Sequence, residues 1–288
     1  MTDKMELIIW DVEHGACAML WPETAGRAGA LAMIDSGHNA TERWYPGPYI
    51  RNVLGRDRLD YFINTNADQD HVSGLESLWQ AGVTINTLTR NQSLSGPDLR
   101  RIKEAAGHRL TDDLERLVQL HTNYTATASV PFDDGMGGIR KRQFYNRYPA
   151  LTDTNDLSLA AFISFGAFKI LFPGDLGTEG WRLLLQNTEF RAELATTTIL
   201  VAAHHGRQDG YYLPVFEHCG PRAVVLSDKA IVHDTQATVP LYRARVQPRS
   251  VYVSNTGANR HVLTTRRDGH IRFEVFPNGD FNIYTECG

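Results

Sequence analysis

The stretch Asn66-Ala67-Asp68-Gln69-Asp70-His71 crowds two carboxylates and an imidazole into one short segment. Like charges this close repel, so the arrangement is destabilising unless a cation or a set of hydrogen-bond donors neutralises it. A divalent metal would do so; the structural alternative is a solvated loop in which Asp70 caps the helix that follows. Residues of the same type recur where other apolar runs stop: Asp35 after Ile34, Asp175 after Phe172, His204 and His205 after Ala202, and His233 beyond Leu226. A sheet can carry such strand ends from distant sequence positions onto one rim, and taken together they favour the metal. The chemistry to expect there is hydrolysis by an activated water, with a histidine such as His204 stabilising the developing oxyanion or protonating the leaving group.

The elements that must position these residues can be read from periodicity. Short apolar runs bounded by turn residues predict strands over 6–10, 16–21, 31–34 and 61–64. Val72, Leu75, Leu78 and Trp79 share one face of a helix predicted over 72–81, with Gly82 just past its end, so His71 sits at a strand-to-helix turn. Helical spacing of Leu99, Ile102 and Ala106, then of Leu114, Leu117 and Leu120, predicts two helices. A turn at 133–138 and a strand over 139–145 follow, and the region 91–154 reads as a helical and loop insertion. Two runs joined by Gly166-Ala167 predict a hairpin over 157–172, then a helix over 180–186. Strands are expected over 198–202, 223–226, 251–253, 262–265 and 271–276.

Bulk properties set the frame. At 288 residues the chain can bury a large core, and neither a repeat nor a long linker divides it, so one α/β domain over 1–288 is expected. A net charge of −4 argues against a protein that coats nucleic acid by bulk electrostatics, but not against a local basic groove. The basic residues from Arg140 to Arg147 are where contacts to a phosphate backbone would be sought, a solvated face being the plainer alternative. Cys17, Cys219 and Cys287 lack paired spacing, the N-terminus is unlike a signal peptide, and no apolar run is long enough to cross a bilayer. The expectation is a cytoplasmic protein without membrane association.

These motifs, taken in order along nearly the whole chain, resemble the metallo-β-lactamase superfamily and, within it, the hydrolase domain of the ComEC competence proteins. Asp11-Val12-Glu13-His14-Gly15 resembles the opening Asp-Val-Gly-Gln-Gly, Ile34-Asp35-Ser36-Gly37 an Ile-Asp-Thr-Gly, and 66–71 the competence-type His-x-Asp-x-Asp-His. Asn155-Asp156-Leu157-Ser158-Leu159 is similar to an Asn-x-x-Ser-Leu, Phe172-Pro173-Gly174-Asp175 to the Gly-Asp motif, and Ala203-His204-His205-Gly206 to the His-His-Gly motif. Thr265-Arg266-Arg267-Asp268-Gly269 with Ile271 resembles the closing Thr-x-x-Asp-Gly-x-Ile. The resemblance implies an αβ/βα four-layer sandwich with a metal site on one edge. It implies that Asp70, His71 and Asp175 hold one ion, with His233 as its remaining ligand, that Asp175 bridges to a second ion served by Asp68, and that His204 faces the substrate, making His204 and Asp70 the catalytic pair. It also implies a phosphodiester substrate such as DNA.

Two departures from the pattern bear on the metal. Asn66 stands in place of the first histidine, and Asn155 in place of another, which leaves the second site poor in nitrogen. Asp68 and Asp175, with Asn66, make an oxygen-rich set suited to manganese or magnesium, whereas Asp70, His71 and His233 suit zinc or manganese; one or two ions are expected. Asp35 and Asn155 fit either structural caps or groups that orient ligands. The sequence leaves open which of His204, His205 and His233 turns to the metal. It also leaves three functions: a nuclease or phosphodiesterase, alone or as a subunit of a larger system; a hydrolase of a small ester, lactone or nucleotide; and a binding subunit whose catalysis has weakened.

Overall fold

In the computed structural model, which describes residues 2–107, 109–126 and 130–287, the apolar runs become the strands of two sheets. The larger holds, in spatial order, Ala258–Arg260, Val251–Val253, Phe281–Thr285, Ile271–Val275, Lys4–Ile9, Ala18–Thr24, Ala32–Ile34, Arg58–Ile63 and Thr84–Thr89, with Arg27–Ala28 paired to Ala18–Thr24. The smaller runs Val262–Thr264, Ala223–Leu226, Ile199–Val201, Phe168–Phe172, Leu159–Phe165 and Arg140–Tyr145. Lys4–Ile9 is antiparallel to both neighbours, Leu7 lying opposite Leu20 on one side and Phe273 on the other.

Strand alternation builds the layers. Leu20, Ile34 and Ile63 face the second sheet, and so do Ile170 and Phe172 from the other side, together forming the central core. The residues between them, Met19, Met33 and Phe62, face outward and pack on Val72, Leu75, Leu78, Leu99 and Leu117. Leu171, Leu200 and Val224 pack on Trp181, Leu184, Phe190 and Leu194. Both faces of each sheet are thus apolar, as strands covered on two sides must be. The result is helices, sheet, sheet, helices: the α/β four-layer sandwich that the resemblance implies. In its centre Phe168 and Phe273 are both fully buried, with ring centroids 6.2 Å apart, and truncating either to alanine is expected to cost about 3–5 kcal/mol.

Parallel pairing decides where the strand ends go. Ala32–Ile34 and Arg58–Ile63 run parallel, with Ile34 beside Ile63. Phe168–Phe172, Ile199–Val201 and Ala223–Leu226 do the same in the second sheet. Their C-terminal ends, and therefore Asp35, residues 64–71, Asp175, His204, His205 and Ser227, collect on one rim.

Some elements differ from expectation for identifiable reasons. The helix predicted over 72–81 is two pieces, Gln69–Val72 and Leu75–Gln80. Gly74 donates its N–H to Ser36 O at 2.7 Å rather than continuing the helix, and a Cβ built on it would lie 2.7 Å from that oxygen and from Pro46. The two helices predicted around 99–120 are Gly96–Ala105 and Asp112–Asn123, capped by Ser95 and Thr111. Thr84–Thr89, Ala258–Arg260, Phe281–Thr285 and the helix Thr188–Ala195 were not anticipated; the first is an edge strand whose threonines hide its alternation. Residues 108 and 127–129 of the expected insertion lie outside the described residues. Among the described residues no helix is long and apolar enough to cross a membrane.

Candidate metal centre

Asp70, His71, Asp175 and His205 each place one ligand-type atom so that all lie within 4.8 Å of one another. Local backbone chemistry puts them there. Asp70 and His71 occupy the helical turn that opens after Asp68, and the Asp70 carbonyl packs so closely on Gly15 that a Cβ there would come within 2.4 Å of it. Gly15 also has φ +145°, so a side chain is excluded on two grounds. Asp175 follows its strand through Pro173-Gly174, and its N–H is held by Ser158 Oγ at 3.0 Å. His204 and His205 are consecutive left-handed residues, φ +50° and +56°, and this turns the two imidazoles to different surroundings. Each such non-glycine conformation costs about 1–3 kcal/mol and persists where the surrounding structure enforces it.

The geometry within the cluster is tight. His71 Nε2 is 2.8 Å from Asp175 Oδ1, and His205 Nε2 is 3.0 Å from Asp70 Oδ2 and 3.5 Å from Asp175 Oδ1. His71 Nδ1 is 2.8 Å from Asp35 Oδ2, and His205 Nδ1 donates to Ser227 O at 3.0 Å. His71, Asp175 and His205 are buried, while Asp70 opens to the cleft. Burial by itself disfavours charge on every one of them. The imidazoles of His71 and His205 nevertheless hold the carboxyls of Asp70 and Asp175 well below the usual range. Against the same burial, Asp175 and its fellow carboxylates hold His71 well above the usual imidazole range and His205 at about 10.

Such a donor set fits a metal ion. The second nitrogen of each imidazole is anchored, His71 to a carboxylate and His205 to a carbonyl, as ligating histidines require. His205 Nε2 is buried and forms no hydrogen bond of proper geometry, despite the nearby carboxylates. A bound ion would displace the proton that Asp70 and Asp175 hold on this nitrogen and take its place among the four ligand atoms. Two carboxylates and two imidazoles suit zinc or manganese.

Other expected residues are placed differently. Asp35 is fully committed: it accepts from Thr65 N at 2.7 Å, from Asn64 Nδ2 at 3.2 Å and from the Thr65 hydroxyl, and it orients His71 from outside the cluster. Asp68 lies outside the cluster and is bonded to Lys103 and Thr154, and Asn66 bonds Asn155 at 2.9 Å. His233 is exposed at the start of the turn Asp234–Gln236, with its N–H on Gln236 Oε1 at 3.0 Å. The structure groups His205, and not the exposed His233, with Asp70, His71 and Asp175. His204 lines the cleft, and its Nδ1 lies 3.0 Å from Asp209 Oδ2. Although half-burial opposes charge on His204, Asp209 raises its pKa above the ordinary value.

The cleft above the cluster measures about 480 Å³ and is lined by His14, Asp70, Asp175, His204, Arg207 and Lys229, among others. The expected basic stretch from Arg140 to Arg147 is not among its lining residues; Arg142 instead pairs with Glu189 at 2.9 Å. Sequence reasoning missed Arg207 and Lys229, as well as the contacts that His14 makes at the cleft. His14 Nε2 lies 3.3 Å from Asp70 Oδ2 and 3.1 Å from Arg207 Nη2, and His14 Nδ1 lies 3.0 Å from Asp228 Oδ1. Arginine can only donate, so His14 Nε2 accepts from Arg207 and Nδ1 donates to Asp228.

No protein-family model matches the chain, and no curated protein matches its sequence. Among solved structures, a diphosphatase from the PhnP family is similar over 96% of this chain and 100% of its own length, at 11% identity and a TM-score of 0.45. CmlA, a diiron β-hydroxylase from Streptomyces venezuelae, is similar over 96% of this chain and 54% of its own length, at 12% identity and a TM-score of 0.46. At that distance neither neighbour bears on the chemistry of this chain.

Proposed function

We propose that this protein is a metal-dependent hydrolase of phosphodiesters, with nucleic acid as its substrate class. The observation that carries the proposal is the convergence of Asp70, His71, Asp175 and His205, of which Asp70 and Asp175 line an open cleft. The motif resemblance to competence-type hydrolases supports the substrate class. So do Arg207 and Lys229, which give an otherwise acidic cleft two cations for an anionic substrate.

A divalent ion in the cluster supplies Lewis-acid activation of water and of a phosphoryl oxygen. The protein's own groups do the rest. Asp35 and Ser227 O fix the orientations of His71 and His205. His204, whose pKa Asp209 raises against the effect of burial, stands at the cleft wall to give a proton to the leaving oxygen. Arg207 and Lys229 hold the substrate's non-bridging charge.

The test is cleavage of labelled single- and double-stranded DNA, and of a small phosphodiester such as bis(p-nitrophenyl) phosphate, in manganese or zinc. The expected result is cleavage that disappears in Asp175→Ala. Absence of any Asp175-dependent cleavage overturns the proposal, and turnover of the small diester alone moves the substrate class from polymers to small molecules.

A further inference from the structure

Beside the four-residue cluster lies a group of polar side chains that the proposed reaction does not use. Asp68 lines the same cleft as Asp70 and Asp175. Its Oδ1 receives the Lys103 ammonium and, at 2.8 Å, the Thr154 hydroxyl, and its Oδ2 lies 3.4 Å from Asn66 Nδ2. Asn66 Nδ2 also donates to Asn155 Oδ1 at 2.9 Å, while Asn66 Oδ1 accepts from Ala67 N at 2.6 Å. The side-chain oxygens of Asp68, Asn66 and Asn155 already accept hydrogen bonds. The formal positive charge here is the Lys103 ammonium, and Lys103 is only 5% exposed.

We propose that Lys103 is a built-in substitute for a second metal ion, so that this protein holds one divalent ion per chain. This rests on Asp70, His71, Asp175 and His205 being a metal site. A buried ammonium needs a carboxylate partner, and once Asp68 has that partner it has little negative charge left to attract a dication. The ammonium would also repel a dication bound beside Asp175. Asn66 and Asn155 fit the same scheme, since neutral amides bonded to each other add no negative charge to draw a second ion. Lys103 comes from the last turn of Gly96–Ala105, on the face that also buries Gly96 and Leu99. The helix therefore delivers the charge as part of its packing.

The test is metal stoichiometry. Protein stripped with chelator is dialysed against manganese or zinc, and bound metal per chain is measured by elemental analysis for wild type, Asp68→Asn and Lys103→Met. The expected result is one ion in wild type, one ion in Asp68→Asn, and a second ion gained in Lys103→Met, where Asp68 is left uncompensated. Two ions in wild type, falling to one in Asp68→Asn, overturn the proposal but leave the four-residue centre standing. So does a Lys103→Met protein that folds and stays at one ion. No bound ion in wild type overturns the four-residue centre itself, and this proposal with it. If circular dichroism shows that Lys103→Met does not fold, the Asp68→Asn comparison decides alone: an unchanged single ion supports the substitution, and loss of an ion refutes it.

Discussion

On one side of the cleft, Asp70, His71, Asp175 and His205 direct ligand atoms at a shared point; on the other, Asn66, Asp68 and Asn155 accept hydrogen bonds from Ala67, Lys103, Thr154 and one another. Both sides are built from residues of metal-binding type at strand ends. The difference lies in where their electron pairs go. The first side pins its imidazoles from behind, through Asp35 and Ser227, and leaves His205 Nε2 unbonded. The second side satisfies its acceptors with protein donors, including a full positive charge. Carboxylate count alone therefore does not define a candidate metal site; ligand atoms that converge on one another do.

The largest effect expected from breaking the first side is in Asp175→Ala. Bound metal and hydrolysis should both fall to background, because Asp175 contacts both imidazoles, and elemental analysis beside a cleavage assay checks this. Next comes His204→Ala, which leaves the ligand set intact. Its kcat should drop by about 10²–10⁴-fold, the usual contribution of a general acid, with metal content unchanged. Loss of metal in that variant would show that His204 is a ligand rather than a proton donor. Asp35→Asn weakens the orientation of His71 without touching the other ligands, and metal affinity should fall by about 10–100-fold in equilibrium titration.

The smallest effect concerns the helices that seat Lys103. His121, on Asp112–Asn123, is buried with Nδ1 on Leu94 O at 3.0 Å, and burial followed by the Arg90 charge pushes its pKa down to about 3. In the unfolded chain the same histidine titrates near the ordinary imidazole value of 6.5. Between these values the unfolded state binds the extra proton, so the stabilisation is complete above about pH 6.5 and is lost progressively as the pH falls toward about 3. Urea unfolding should show a slope of up to about 1.4 kcal/mol per pH unit over that window, reduced in His121→Gln.

How much of this was legible in the sequence follows the same division. Asp70 and His71 stood out because they crowd with Asp68 into one short segment, Asp175 because it follows an apolar run, and parallel strands gather such ends on one rim. The choice between His205 and His233 was not legible: it depends on two consecutive left-handed residues and on a loop that turns outward, and neither leaves a trace in spacing. The second side did carry a signal. Lys103 sits four positions after Leu99, on the stripe meant for the core, where an unpaired charge would be costly. Its partner lies 35 positions earlier in the chain, so the sequence could flag the lysine but not what it neutralises. Among the strands, Thr84–Thr89 was hidden because four of its six residues are polar.

The central claim is that His205, rather than His233, completes a metal site with Asp70, His71 and Asp175. Metal per chain in His205→Ala and His233→Ala, each purified and dialysed beside wild type, tests it most directly. One ion in wild type and in His233→Ala, with none in His205→Ala, is the predicted result; an ion retained in His205→Ala and lost in His233→Ala would contradict it.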